Sequence, residues 1–358
     1  MIPDYIKIES SLNESLNSFI KEKEVSKVFI LVDENTEKHC LPEIEIEFDA
    51  KLIKIESGES NKTLNTSCLI WNELTKENAD RKSLLINLGG GVIGDMGGFC
   101  ASTFKRGIYF INIPTTLLSQ VDASIGGKLG VDYDGLKNHI GLFRNPDQVL
   151  INNDFLSSLP ERQLLSGYAE VVKHALISDS AWWEKIKKVD PLNVEDWSDI
   201  TLNAIRIKGE VVSNDPTEKG LRKILNFGHT IGHAIESWFL ENYGDTACLH
   251  GEAIAAGMII EADLSTKFTG LSKNDFSDIS NYILKTFKPL HIPEKAINEI
   301  VNKCVHDKKN KGNTIYFVLL NNIGKSTFDK VVSLKEVRIA VENYMQLISK
   351  FSDQTPKS

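Results

Sequence analysis

Hydrophobic positions in the first half of the chain fall in short unbroken runs, and in the second half they recur at helical spacing. Residues 27–32 (KVFILV), 83–88 (SLLINL) and 109–113 (YFINI) read as buried strands. The stretches between them are helix-compatible, which predicts a parallel, doubly wound α/β sheet. After Pro160 the period changes, and residues 163–177, 181–188, 200–212 and 252–268 favour helix. The exception is residues 314–320 (TIYFVLL), followed by NNIGK and then 326–332, which reads as a small hairpin. Asn152, Asn153, Ser157, Ser158 and Pro160 cluster where the two patterns meet. The expected organisation is an α/β domain over 1–158, a mainly helical domain over 159–350 and a polar tail over 351–358.

Composition narrows the function classes. Lys plus Arg is 41 against 49 for Asp plus Glu, a net charge of −8 over 358 residues. That balance argues against a general nucleic-acid or anionic-membrane binder, but it leaves room for a local basic pocket. Cys40, Cys68, Cys100, Cys248 and Cys304 are odd in number and form no C-x-x-C pair, which suits a reducing cytosol. The chain opens without the apolar core of a signal peptide. Its longest uncharged stretch, 107–121, is shorter than a membrane span and is interrupted by Asn112, Pro114 and Gln120. A cytoplasmic protein is expected.

The run 83–88 leads directly into Gly89-Gly90-Gly91-Val92-Ile93-Gly94-Asp95. Gly89, Gly91 and Gly94 satisfy G-x-G-x-x-G between a strand and a helix, where bare backbone N–H groups can approach a pyrophosphate. The acid expected about 20 residues later is missing, because residues 111–116 read INIPTT. Asp33, at the end of the first strand, is the better candidate for a ribose hydroxyl. A glycine-rich turn that only packs helix on strand is the alternative.

Residues 222–236 carry a second constellation. If this stretch is one helix, Arg222, Asn226, His229, His233 and Glu236 share a face at i, i+3/i+4 spacing. Gly228 and Gly232 beside that face point to close backbone packing or to room for a ligand. His229 and His233 have metal-ligand spacing, but Thr230 replaces the Glu of H-E-x-x-H, which disfavours peptide hydrolysis. His250 and a carboxylate from elsewhere complete a His/His/carboxylate set with an open position. Solvated helix histidines are the alternative. Glu170 is the carboxylate candidate, although with Lys173 it also forms an i, i+3 pair of the ordinary surface kind. Arg106, Lys128, Lys137, Lys173, Lys208 and Arg222 together can make a cationic pocket for a carboxylate and a phosphate.

These ordered motifs resemble the 3-dehydroquinate synthase family of sugar phosphate cyclases. The resemblance runs from about Asp33 to Lys325. It rests on GGGVIGDMGGFCAS (89–102), PTTLLSQVDASIGGK (114–128), KNHIGLF (137–143), GYAEVVKHALI (167–177), GLRKILNFGHTIGHAIE (220–236) and LHGEA (249–253), with Gly58-Glu59, Lys62 and Asp307-Lys308-Lys309. It implies an N-terminal Rossmann-like NAD⁺ domain, a mostly helical C-terminal domain and an active site in the cleft between them. It implies a Zn²⁺ or Co²⁺ ion on Glu170, His229 and His250, with His233 as a proton-handling or substrate-orienting neighbour. It also implies NAD⁺ contacts from Asp33, Glu59, Lys62, Gly90, Gly91, Val92, Asp95, Thr115, Thr116, Leu118, Asp122 and Lys137. Substrate would meet Asp122, Lys128, Asn138, Lys173, Lys208, Arg222, Asn226 and Lys308 or Lys309. Arg106 would reach the phosphate from the neighbouring subunit of a homodimer.

The activity implied is conversion of 3-deoxy-D-arabino-heptulosonate 7-phosphate to 3-dehydroquinate and phosphate. Transient NAD-dependent oxidation, phosphate elimination, re-reduction and intramolecular aldol closure follow in that order. Asp132-Tyr133, Leu136 and Gln163 depart from the family's usual residues without removing a catalytic group. Three competing readings are another cyclase of the 2-deoxy-scyllo-inosose synthase type, a metal-dependent polyol dehydrogenase and a non-catalytic NAD⁺-binding sensor. Asn138, Arg222 and Asn226 favour dehydroquinate synthase over the first, and the lysines count against the second. The complete polar constellation counts against the third.

Overall fold

The protein is described from a computed structural model, covering residues 2–45, 47–134, 136–304 and 315–354. It divides into two compact units, Met1–Gly167 with Asp196–Thr217, and Tyr168–Glu195 with Glu218–Ser358.

The strands of the first unit are β1 (Ile6–Ile8), β2 (Val28–Val32), β3 (Ala50–Lys54), β4 (Leu84–Gly89), β5 (Tyr109–Pro114), β6 (Lys128–Tyr133), β7 (Leu136–Phe143) and β8 (Gln148–Ile151). Its helices are α1 (Asn13–Glu22), α2 (Glu34–His39), α3 (Leu64–Lys76) and α4 (Gly91–Thr103). Six strands form one sheet in the order β1-β8-β5-β4-β2-β3, and every pairing in it is parallel. β6 and β7 make a separate antiparallel hairpin.

Both faces of the sheet are covered, which is why its central strands are continuously apolar rather than alternating. Phe29, Leu31 and Leu85 pack on one side with Ile70 and Leu74 of α3 and Met96 of α4. Val28, Ile30, Leu84 and Ile86 pack on the other with Leu16 and Ile20 of α1. From β2 onward the order is the doubly wound 2-1-3-4-5 pattern, in which a ligand crevice opens beyond the carboxyl ends of the two strands where the winding reverses. Those strands are β2 and β4. β4 feeds the glycine turn and β2 ends at Asp33, so the turn and this acid stand at the carboxyl ends of neighbouring strands.

Helix α5 (Glu161–Ser178) runs through the division between the units. α7 (Ser198–Asn214) groups with the first unit. The second unit holds α6 (Ser180–Ile186), α8 (His229–Tyr243), α9 (His250–Phe268), α10 (Lys273–Thr286), α11 (Ile297–Lys303) and α12 (Leu334–Gln354), with the antiparallel hairpin of β9 (Tyr316–Asn322) and β10 (Lys325–Val331). The α/β-then-helical pattern and the late hairpin are as the sequence predicts.

The single helix expected over 222–236 does not form. Leu221–Asn226 is a 3₁₀ segment, and Gly228 has φ +79, a left-handed conformation that breaks the chain before α8 begins. Arg222 and Asn226 therefore do not continue the α8 face that carries His229, His233 and Glu236. Gly228 and Gly232 serve close packing: a Cβ on Gly232 would lie 2.7 Å from Ile254 Cδ1, and one on Gly228 2.7 Å from Met258 Cγ. Among the described residues, no helix is long and apolar enough to cross a membrane.

Candidate functional site

In the first unit the glycine turn is built for close approach. Gly90 is the N-cap of α4 and has no side chain to cap it, so the first N–H groups of the helix remain presented as donors. A Cβ on Gly90 would lie 3.2 Å from Thr116 Cγ2. The cavity here is lined by Gly89, Gly90, Gly91, Asp95, Ser124 and Lys128. Val92 is half-buried in the first turn of α4.

Farther along α4, Gly97 permits contact with the sheet, since a Cβ there would sit 1.9 Å from Asn87 Oδ1. Asp33 caps α2, accepting from Asn35 N at 2.9 Å and Thr36 N at 2.8 Å. Its Oδ1 is thus committed to the fold. Thr115 N donates to Gly89 O at 3.1 Å, and Thr116 Oγ1 lies 2.9 Å from Ser119 Oγ. Leu118 is half-buried and its amide lies beside Gly167.

Lys62 is buried and donates to Asp95 Oδ2 at 2.5 Å. Burial disfavours its ammonium, but Asp95, Glu59 and Asp132 outweigh that and hold its pKa above the usual lysine value. Lys137 lies 3.8 Å from Glu59. Asn138 N donates to Asp132 Oδ1 at 2.6 Å, and Asn138 adopts φ 48. Buried Lys208 donates to Asp122 O at 2.6 Å and pairs with Asp122 Oδ1 at 2.8 Å. Lys128 is exposed. Arg106 is also exposed, on a turn where Lys105 and Arg106 both have positive φ.

In the second unit three ligand atoms converge. His229 Nε2 lies 3.4 Å and His250 Nε2 3.3 Å from the same Glu170 Oε1. Glu170, His229 and His250 each offer a donor atom, all within 4.8 Å of one another. His229 Nδ1 donates to Phe227 O at 3.1 Å, which leaves its Nε2 as the acceptor that a cation needs. Burial and the neighbouring Lys173 push the His229 pKa well below its ordinary value and keep the ring neutral. Burial also opposes charge on His250, but Glu236 and Glu170 prevail and raise it to about 10. Two imidazoles and a carboxylate meeting at one point match the donor chemistry of a divalent transition-metal site.

Glu170 and Lys173 form an ion pair with side chains 0% and 1% exposed. The surface reading of that pair is therefore excluded. His233 meets the cluster edge to face, its ring centroid 5.0 Å from that of His229. Arg222 is buried, and Asn226 Nδ2 donates to Glu218 Oε1 at 2.8 Å. Lys308 and Lys309 lie outside the described residues.

Two carboxylates were not assigned a role from the sequence. Glu236 Oε2 lies 3.3 Å from His250 Nδ1. Glu261, fully buried, accepts from Gly228 N at 2.6 Å and Ile231 N at 3.3 Å, capping α8 from a neighbouring helix. The available signal for Glu261 was an acid standing inside the apolar run 253–260 and its continuation.

Comparison with known proteins places these features in a family. Residues 52–166 match the family model for the 3-dehydroquinate synthase N-terminal domain, and 167–310 the model for its C-terminal domain. A 3-dehydroquinate synthase of Parabacteroides distasonis is 40% identical over 340 residues, covering 94% of this chain and 96% of the relative. One of Leptospira interrogans is 38% identical over 347 residues, covering 94% of each. Among solved structures, 2-deoxy-scyllo-inosose synthase complexed with carbaglucose-6-phosphate, NAD⁺ and Co²⁺ is similar at TM-score 0.80 and 27% identity, covering 94% of this chain and 96% of that one.

Proposed function

The chain belongs to the 3-dehydroquinate synthase family, and from that premise we propose how its residues carry the reaction. It is an enzyme of that type, a lyase of aromatic amino-acid biosynthesis that converts 3-deoxy-D-arabino-heptulosonate 7-phosphate to 3-dehydroquinate and phosphate. The observation that supports the site assignment best is the convergence of His229 Nε2 and His250 Nε2 on Glu170 Oε1.

In this reading Glu170, His229 and His250 hold one Zn²⁺ or Co²⁺ ion. Residues 1–158 hold NAD⁺ through the Gly90-Gly91-Val92 turn, Asp33, Glu59, Lys62, Asp95, Thr115, Thr116, Leu118, Asp122 and Lys137, while 159–350 carry the metal and much of the substrate contact. When bound, NAD⁺ supplies reversible hydride acceptance from a secondary alcohol, and the cation supplies Lewis-acid polarisation of that alcohol.

The protein's own side chains do the rest. Lys128, Lys208, Asn138, Lys173, Arg222 and Lys308 bind and orient the substrate. Arg106, exposed on a strained turn, offers a bidentate fork to the phosphate of a neighbouring subunit's substrate in a homodimer. Lys173 reaches substrate from a buried position already neutralised by Glu170, so its charge is fixed in place before anything binds. Asn226, anchored through Nδ2 to Glu218, keeps Oδ1 as an acceptor for a hydroxyl. His233 takes and returns protons. The five free cysteines suit a cytoplasmic setting.

The experiment is incubation of metal-loaded protein with the heptulosonate phosphate and NAD⁺, following phosphate release. Phosphate and dehydroquinate in equal amounts are expected. NADH accumulating with a simple polyol, and no phosphate, would assign a dehydrogenase instead.

A further inference from the structure

We propose that Glu236 is a positioning residue for His250, fixing the tautomer and orientation of a ring that the reading above makes a metal ligand. The inference rests on that reading. His250 is the first residue of α9. Its two nitrogens face two different carboxylates: Nε2 lies 3.3 Å from Glu170 Oε1 and Nδ1 lies 3.3 Å from Glu236 Oε2.

Once a cation displaces the Nε2 proton, a ring that donates from Nδ1 to Glu236 presents its lone pair at Nε2, at the side where His229 Nε2 also approaches Glu170. His229 reaches the same state by another route, with Nδ1 donating to Phe227 O. Both rings are thus tethered at Nδ1 and presented at Nε2. Only one of the tethers is a carboxylate.

Glu236 is well placed to hold that tether. Its side chain is 12% exposed, so the charge-assisted hydrogen bond is weakly screened. It stands on α8 three positions after His233 and seven after His229, so one helix face carries a ligand, the proton-handling histidine and the positioning carboxylate. The capping contact of Glu252 with Leu249 N at 2.9 Å fixes the start of α9 independently of Glu236. Removing Glu236 should therefore release the ring without unwinding the helix.

His233, Glu236 and His250 also bring donor atoms within 4.8 Å of one another, which raises the alternative that Glu236 is itself a ligand. The geometry favours positioning, because Glu236 meets His250 through Nδ1, whereas Nε2 is the nitrogen that faces Glu170.

The test measures Co²⁺ affinity by chelator competition in the full-length wild type, Glu236→Gln, Glu236→Ala and His250→Ala. Loss of an outer partner of this kind weakens metal binding by about 10- to 100-fold. The proposal expects that loss in Glu236→Ala, a smaller one in Glu236→Gln, which keeps an acceptor oxygen, and near-complete loss in His250→Ala. It also expects the ¹⁵N signals of the His250 ring, metal-bound, to show Nδ1–H in the wild type and a mixture in Glu236→Ala. Affinity within twofold of wild type in both Glu236 variants overturns the proposal. Loss in Glu236→Ala as complete as in His250→Ala also overturns it and makes Glu236 a ligand. A wild type that binds no Co²⁺ would instead refute the metal reading itself.

Discussion

Glu261 offers a direct test of how α8, the helix that begins at His229, is held. α8 begins after a left-handed glycine and has no side-chain cap of its own. The cap comes from α9: Glu261 accepts from Gly228 N at 2.6 Å and Ile231 N at 3.3 Å, and its residue is fully buried. A buried donor left without an acceptor costs about 1–3 kcal/mol. An anion at a helix N-terminus in a partly buried setting contributes up to ~2 kcal/mol. These terms overlap, because the same hydrogen bonds carry part of the dipole interaction.

Glu261→Ala should therefore lose about 3–5 kcal/mol, and Glu261→Gln, which keeps one acceptor oxygen, about 1–3 kcal/mol. For a domain of this size 1 kcal/mol moves Tm by about 2–4 °C, so Glu261→Ala should melt roughly 6–20 °C early. Trp238 lies on α8 and is 2% exposed, so its resolved ¹⁹F resonance in 5-fluorotryptophan-labelled protein follows the relevant unit during a thermal scan. A Glu261→Ala protein whose Trp238 transition falls within 2 °C of wild type would refute the capping argument.

Two further outcomes follow from the same geometry. His250→Ala should abolish metal retention, whereas His233→Ala should keep the metal and lose about 10²- to 10⁴-fold in turnover; equal metal content in the wild type and the His250 variant would contradict the ligand assignment. Among the thiols, Cys68 is exposed and the other four are buried, and burial pushes Cys40 up to about 11 and Cys100 to about 12. Ellman's reagent at pH 8 should find one fast thiol per native chain, and three or more would show that the core opens readily.

Much of the fold could be read from local pattern, because strands buried on both faces leave continuous apolar runs such as 28–32 and 84–88. The place of Asp33 at the end of β2 was legible for a related reason: it ends such a run. Strand order was not, since placing β2 next to β4 depends on crossover geometry that no local signal encodes. The break at Gly228 was hidden because residues 222, 226, 229, 233 and 236 satisfy helical spacing whether or not the helix is continuous. Only the partner on α9, Glu261, shows why the left-handed turn is stable. Glu170 and Lys173 presented the same difficulty, an i, i+3 pair whose meaning changes with burial. The ligand triad itself was selected by resemblance, and its atoms lie close together in the structure.

The central claim is that oxidation is borrowed and returned, so that NAD⁺ is not consumed. The most direct measurement supplies metal-loaded protein with excess heptulosonate phosphate and NAD⁺ at a small fraction of the substrate concentration, recording phosphate release and absorbance at 340 nm together. Phosphate and dehydroquinate rising to many equivalents per NAD⁺, with no net growth of NADH, is the predicted result. Release that stops at one equivalent of NAD⁺ with matching NADH, or no release at all, would contradict it.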